Sequence, residues 1–213
     1  MRAVIFANGV IVDYAACRAH LSPADRVICA DGGTRHALAL GLRPHLVIGD
    51  LDSFPVAERA RLEAAGTHFA VYSARKDQTD LELALGAARE MGAAAVHLMG
   101  TMGGRLDQTI ANLLLLAQEQ WADMALSVSD GPETAWVTRS QIEITGAPGD
   151  TVSLIALTPE VCGIDTEGLE YPLTKGTLRF GSTLGISNVL LGEGARVRLA
   201  QGVLLVVQRK NGS

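Results

Sequence analysis

The pattern of the chain changes once, near residue 122, and that change limits the folds open to it. Up to Trp121, short aliphatic runs at 3–6, 26–30, 46–49, 68–72 and 95–99 alternate with segments of helical pattern. In 79–91, Leu81, Leu85 and Ala88 fall on one helical face, and in 107–120 Ile110, Leu113, Leu114 and Ala117 do the same. Strands alternating with helices at this spacing imply βαβ units and a mostly parallel sheet covered on both faces. Beyond residue 122 the predicted strands are short and close together: 124–129, 135–138, 141–145, 152–157, 177–180, 196–199 and 203–208. Turn residues separate them (Gly131-Pro132, Pro148-Gly149-Asp150, Gly181), as in an antiparallel sandwich or barrel-like unit. The expected fold is an α/β lobe over residues 1–122 followed by an all-β sandwich lobe over 123–213, with no repeat and no flexible linker.

Composition narrows the function classes. With 48% hydrophobic and 19% charged residues among 213, the chain can bury a core and is not disordered. A net charge of −5 opposes a general nucleic-acid binder, which needs a positive field. The longest apolar runs, 113–117 and 203–207, fall far short of a membrane span, and the first residues carry no signal-peptide pattern. Cys17, Cys29 and Cys162 form neither a CxxC pair nor a zinc pattern and read as reduced thiols, so the expected location is the cytoplasm.

Acidic residues recur after the aliphatic runs of the first lobe. Asp31 follows the run at 26–30, Asp50 and Asp52 follow 46–49, Asp77 and Asp80 lie beyond 68–72, and Asp107 follows 95–99. In an open, Rossmann-like parallel sheet these loops share the carboxyl edge, where ligands bind. Six carboxylates from four segments are therefore expected at one crevice. Two bare carboxylates about 4 Å apart repel by roughly 4 kcal/mol at an effective dielectric of 20, so a positive partner is required. Hard oxygen donors without histidine spacing favour Mg²⁺ over zinc, and the five scattered histidines read as ordinary residues. In Gly49-Asp50-Leu51-Asp52-Ser53 the i, i+2 spacing puts both carboxylates on one side of an extended segment, the competing reading being an acidic loop or helix cap.

Two further stretches suit phosphate. Thr79-Asp80-Leu81-Glu82 fits a capping box, and the helix start it marks is an anion site with Lys76 and Asp77 just upstream. Gly100-Thr101-Met102-Gly103-Gly104-Arg105 is a glycine-rich turn followed by a guanidinium. Neither a P-loop string nor a G-x-G-x-x-G string occurs. A carboxylate–Mg²⁺ site beside Lys76 and Arg105 points to phosphoryl chemistry on a nucleotide, driven by positioning and charge neutralisation.

Five strings occur in one order: Asp31-Gly32-Gly33, Gly49-Asp50-Leu51-Asp52-Ser53, Lys76-Asp77-Gln78-Thr79-Asp80, Gly103-Gly104-Arg105-Leu106-Asp107-Gln108 and Gly185-Ile186-Ser187-Asn188. In this order the chain resembles the thiamine pyrophosphokinase family over nearly its whole length. The resemblance implies a nucleotide-binding catalytic lobe (1–122), a thiamine-binding and dimerisation lobe (123–213), a homodimer, and Mg²⁺-dependent conversion of ATP and thiamine to AMP and thiamine diphosphate. It further implies that Asp50, Asp52 and Asp80 bind Mg²⁺, and that Asp31, Gly32, Gly33, Lys76, Asp77, Thr79, Gly103, Gly104 and Arg105 surround the nucleotide. Ser187 and Asn188 match the segment that reaches thiamine across the dimer interface, and their side chains can supply donors and acceptors to an aminopyrimidine edge. Asp107 is the candidate for orienting or deprotonating the thiamine hydroxyl, which completes a catalytic set of Asp50, Asp52, Asp80, Arg105 and Asp107. Some relatives place an aromatic after the Ser-Asn pair; here Val189, Leu190 and Leu191 follow. Two other readings compete: a DxD transferase using a nucleotide sugar, and a non-catalytic sensor of ATP or thiamine diphosphate.

Overall fold

A computed structural model describes residues 1–52 and 54–211, and Ser53 of the acidic string lies outside the described residues. The chain divides into two units: Met1–Leu115 with Val128–Gly131, and Leu116–Ser127 with Pro132–Ser213.

In the first unit, strands β1 (Arg2–Phe6), β2 (Arg26–Ala30), β3 (Leu46–Gly49), β4 (His68–Val71) and β5 (Ala95–Met99) pair in parallel in the order β5-β1-β2-β3-β4. Helices α1 (Tyr14–Arg18), α2 (Thr34–Ala39), α3 (Val56–Ala64), α4 (Asp80–Glu90) and α5 (Leu106–Leu115) occupy the connections. Both faces of β1, β2, β3 and β5 are buried, as continuous aliphatic strands require, while the edge strand β4 is half-buried to exposed. Val4, Phe6, Val27, Cys29, Val47 and Met99 share one core cluster with Cys17 of α1, Ala37 of α2 and Leu40 just after it. The alternate residues Ile5, Ile28 and Ile48 are buried as well, and α4 packs on β1, β2 and β3 through a face on which Leu81, Ala84, Leu85 and Ala88 are buried. The end of strand β6 (Ala125–Ser129), Val128 and Ser129, and the turn after it, with Asp130 and Gly131, belong to the first unit.

The second unit has two antiparallel sheets, as expected. One contains β12 (Asn188–Val189), β9 (Thr151–Ala156), β14 (Leu204–Arg209) and β7 (Glu133–Thr138); the other contains β11 (Gly176–Arg179), β10 (Glu160–Glu167), β13 (Gly194–Arg198) and β8 (Gln141–Thr145). Val152, Leu154, Leu204 and Val206 from one sheet meet Ile144, Val161, Ile164 and Val197 from the other in a single cluster, and Trp136 packs against it as core.

The division differs from a single break at 122. Helix α5 stops at Leu115, short of the predicted 120, and Gln118 is extended with ψ 142. The Ala117 and Gln118 carbonyls accept from Arg139 Nη2 at 2.8 and 2.9 Å, which gives them a partner outside the helix and ties 116–127 to the second unit. Strand β10 was not predicted. A bulge between Cys162 and Ile164, with Gly163 at φ +66, breaks its period-2 pattern, so Val161 and Ile164 are both buried despite odd spacing.

Candidate active site

The loops at the carboxyl ends of the parallel strands enclose a cavity of about 680 Å³ in the first unit, within the roughly 300–1,000 Å³ of small-molecule sites. The β1 loop supplies Asn8, Gly9 and Val10, the β2 loop and α2 supply Asp31 and Arg35, and β3 ends in Asp50. Lys76, Gln78, Thr79 and Asp80 come from the entrance to α4; Thr101, Gly103, Gly104 and Arg105 follow β5, and Gln108 and Asn112 come from α5.

Of the six carboxylates expected here, Asp31, Asp50 and Asp80 line the cavity. Burial raises the Asp31 carboxyl above its ordinary value; repulsion from Asp80 and Asp50 adds to this, while the Gly32 amide and Lys76 oppose it. Gly49 makes room for Asp31, because a Cβ there would stand 2.9 Å from the Asp31 Cβ. Lys76 Nζ lies 2.8 Å from Asp80 Oδ1. That buried oxygen has no aligned hydrogen bond, so the contact is an ion pair alone. Thr79 caps α4, its hydroxyl accepting from Glu82 N at 3.2 Å, as the capping-box pattern predicted.

The expected pairing of Asp50 with Asp52 on an extended segment is not what forms. Leu51 is buried with φ +57, so the chain turns there; Asp52 is exposed and does not line the cavity. The Asp52 amide instead donates to Asp50 Oδ1 at 3.2 Å. Asp31 is also left-handed at φ +44, a tolerable state for Asp but a strained one for Leu51. Among the described residues no three His, Cys, Asp or Glu side chains stand around one point as a ready metal cage. Asp77 is exposed and off the lining. Gly32 and Gly33 lie behind it: side chains there would strike Asn8 and the Phe6 carbonyl, so close packing on β1 is what these glycines permit. Asp107 is off the lining too and pairs with Arg105, Nη2 to Oδ2 at 2.5 Å and Nε to Oδ1 at 3.1 Å. That hydrogen-bonded guanidinium holds the Asp107 carboxyl below its ordinary range.

In the second unit Ser187 is exposed at φ +60, its amide donating to Ser153 Oγ at 3.1 Å. Asn188 is buried and its amide is occupied: Oδ1 accepts from Tyr171 N at 3.0 Å and from Val189 N at 2.9 Å, and Nδ2 donates to Tyr171 O at 2.7 Å. Asn188 therefore anchors the backbone of Tyr171, whose ring is exposed, instead of presenting its own amide to a ligand.

Several residues were missed at the sequence level. Asn8 and Arg35 follow β1 and β2 at the same edge as the aspartates, and that place after a strand is the sequence signal that marks them. Arg35 Nη2 donates to Asn8 O at 3.1 Å and Gly9 O at 2.7 Å, and its Nη1 to Asn8 Oδ1. His36, 3% exposed, is part of the same support. Because a carbonyl only accepts, His36 Nε2 carries the proton to Gly9 O at 3.0 Å, and Nδ1 accepts from Tyr14 Oη at 2.6 Å. Burial lowers the His36 pKa, which favours this neutral form. Tyr14→Phe leaves a buried acceptor unsatisfied, and a loss of about 1–3 kcal/mol is expected, read as a lower melting temperature; an unchanged melting curve would contradict the hydrogen bond.

A parallel sheet whose carboxyl edge gathers acidic groups, cations and a glycine-rich turn around one cavity defines a phosphate-handling α/β enzyme. Comparison with known proteins agrees and is more specific. The family model for the thiamin pyrophosphokinase catalytic domain matches residues 17–127, and that for the thiamin pyrophosphokinase vitamin B1 binding domain matches 139–204. A thiamine pyrophosphokinase of Bacillus subtilis is 31% identical over 191 residues, 85% of this chain and 86% of that protein. The crystal structure of a B. subtilis thiamine pyrophosphokinase superposes with a TM-score of 0.86 at 26% identity, covering 99% of this chain and 100% of that one. The Geobacillus thermodenitrificans enzyme gives 0.84 at 28%, covering 100% and 99%. The chain belongs to the thiamine pyrophosphokinase family and is a transferase.

Proposed function

We propose that this protein transfers the pyrophosphoryl group of ATP to the hydroxyl of thiamine, with Mg²⁺ as cofactor, giving thiamine diphosphate and AMP. The carrying observation is the cavity that sets Asp31, Asp50 and Asp80 against Lys76, beside Arg105 and the Gly103-Gly104 turn, in a chain of this family. The thiamine hydroxyl oxygen forms a bond to the β-phosphorus and releases its proton to solvent, the bond from that phosphorus to the oxygen bridging to the α-phosphorus breaks, and AMP leaves with the electron pair. Lys76, Arg105 and the Gly103 and Gly104 amides hold the phosphate oxygens, and the start of α4 adds a favourable dipole. Asp107 orients the thiamine hydroxyl; while paired with Arg105 it is a weak proton acceptor.

The residues present fit a hard divalent cation. Asp80 Oδ1 is buried with an ion pair to Lys76 and no hydrogen bond, and Asp31 is raised by burial first and by repulsion from Asp80 and Asp50 in addition. Mg²⁺ is commonly held by one or two carboxylates together with substrate phosphates, so a complete protein cage is not required. Asp50 and Asp80 would hold the ion, which when bound neutralises charge on the phosphate oxygens. Asp52 serves Asp50 through its backbone amide, so Asp52→Asn is expected to reduce kcat/KM by less than about tenfold; a loss equal to that of Asp50→Asn would make Asp52 a ligand after all. The nucleotide-sugar alternative loses its basis, since Asp50 and Asp52 do not share the cavity.

The Ser187–Asn188 segment takes part in thiamine recognition, with Asn188 as the anchor of Tyr171. A homodimer in the cytoplasm completes the proposal. Exposed Tyr171, Phe180, Leu184 and Leu191 offer apolar area for a second copy, and Cys17, Cys29 and Cys162 are free thiols. Among the described residues no helix is long and apolar enough to cross a membrane. Protein, Mg²⁺, ATP and thiamine together should release AMP. Absence of AMP, or the same rate without thiamine, rules the assignment out.

A further inference from the structure

Asp130 is 4% exposed at the end of β6, and nothing in the sequence marked it beyond a turn before Gly131-Pro132. Its carboxylate faces the start of the glycine-rich loop. Gly100 N donates to Oδ1, Met102 N donates to Oδ2 at 3.0 Å, Thr101 Oγ1 donates to Oδ2 at 3.3 Å, and the Thr101 amide is directed at the same carboxylate. The carbonyls of this short segment are engaged from elsewhere. Gly100 O accepts from Gly9 N at 2.6 Å, Met102 O from Val10 N at 2.7 Å, and Thr101 O from Asn112 Nδ2 at 2.8 Å. All three carbonyls of 100–102 thus have a defined partner, and Asp130 supplies the acceptor for the Gly100 and Met102 amides and the Thr101 hydroxyl. The next residues, Gly103 and Gly104, are left-handed at φ +81 and +73 and line the cavity with Arg105.

We infer that Asp130 is a positioning residue, whose carboxylate clamps 100–102 so that Gly103, Gly104 and Arg105 meet the phosphates of the nucleotide. The inference rests on the cavity being the nucleotide site, as proposed above. Asp130 lines no part of the cavity and touches no substrate; it acts through the loop. A carboxylate suits the task because its two oxygens, as pure acceptors, can serve two amides and a hydroxyl at once. An Asn in its place presents one oxygen and turns an NH₂ toward a donor. The titratable groups facing it are the Cys17 thiol of α1 and, beside that, Asp13; burial, and after it the Asp130 and Asp13 carboxylates, raise the Cys17 thiol to about 11. Burial pushes Asp130 itself up to about 6, while the loop amides pull the other way. A raised carboxyl favours its protonated form in the fold, so this group's contribution to stability is full in acid and is lost as the pH rises through about 6. The ionised form needed for clamping is therefore present at neutral pH at some expense in stability, as is common at functional positions.

The test compares wild type with Asp130→Asn. Hydrogen exchange of the peptide spanning 99–105, without ligand, should speed up in the variant at 100–102 and not across β1 to β5. Calorimetry with Mg²⁺ and an unreactive ATP analogue should show binding weaker by about ten- to a hundredfold at pH 8, with no matching fall in melting temperature. The gap should close toward pH 5, where the wild-type carboxyl is itself protonated. Unchanged exchange at 100–102 overturns the clamp. So does faster exchange throughout the first unit with a lower melting temperature, which marks a merely structural residue. If the variant fails to fold, wild type alone decides: protection at 100–102, corrected for intrinsic rate, must fall between pH 7 and 5, and constant protection refutes the inference. Wild type that neither binds the analogue nor forms AMP refutes the nucleotide site, whereas exchange needs no ligand and judges the clamp independently.

Discussion

Asp50→Asn is expected to lower kcat/KM by at least about a thousandfold, equivalent to about 4 kcal/mol of transition-state stabilisation, with little change in melting temperature. Asp50 sits where buried β3 opens into the cavity. Asparagine keeps its shape and an oxygen for the Asp52 amide, so the turn at Leu51 retains its bond. What disappears is the negative charge. With it goes part of the repulsion that raises Asp31, so Asp31 should titrate lower in the variant and the fold should be no less stable. The measurements are initial AMP rates over a Mg²⁺ series and a thermal melt. A large fall in melting temperature would make Asp50 structural, and normal turnover would remove it from the proposed cation site.

Lys76→Met is expected to cost about 10²–10³-fold in kcat/KM for ATP, and unlike Asp50→Asn it should also affect stability. The Lys76 side chain is largely buried and is the ion-pair partner of Asp80 Oδ1, which has no aligned hydrogen bond. Without the ammonium, Asp80 is left among carboxylates with its charge uncompensated. Lys76 also lowers Asp31, so its removal raises Asp31 further and moves the acid limb of activity to higher pH. The melting temperature of the variant should drop at neutral pH and recover on acidification, as protonation removes the unpaired charge. Lys76→Arg keeps the charge and should restore stability more than rate, because a planar fork does not occupy the position of an ammonium. A variant with wild-type KM for ATP and the wild-type pH profile would contradict the role given to Lys76.

Legibility followed how local each cause was. The central parallel strands β1, β2, β3 and β5 could be read because burial on both faces leaves aliphatic runs, and the start of α4 because Thr79 and Glu82 form a local cap. Strand β10 escaped because its bulge shifts the alternation on which strand reading depends. The end of α5 escaped because Arg139, more than twenty residues away in sequence, takes the carbonyls beyond it. At the site, Asp31, Asp50, Lys76 and Asp80 were found from their places after strands, and the cavity gathers them. Asp52 lies off the cavity because Leu51 turns left-handed where an extended segment would have carried both carboxylates to one side. Asn188 was read for its amide chemistry, but a fold contact with Tyr171 uses that amide.

By itself the sequence determined the change from alternating strands and helices to strands alone, the family, and which loops carry acids, cations and glycines, since each depends on residue type at short spacing. The tertiary structure decided which carboxylates face one another, which polar groups are already engaged, and which distant side chains hold the cavity loops. Asp130 and His36 act through bonds that span 30 and 27 residues. Such partners meet only when the sheet closes, because a hydrogen bond depends on sub-ångström position, and long-range position is set by the packing of the whole unit.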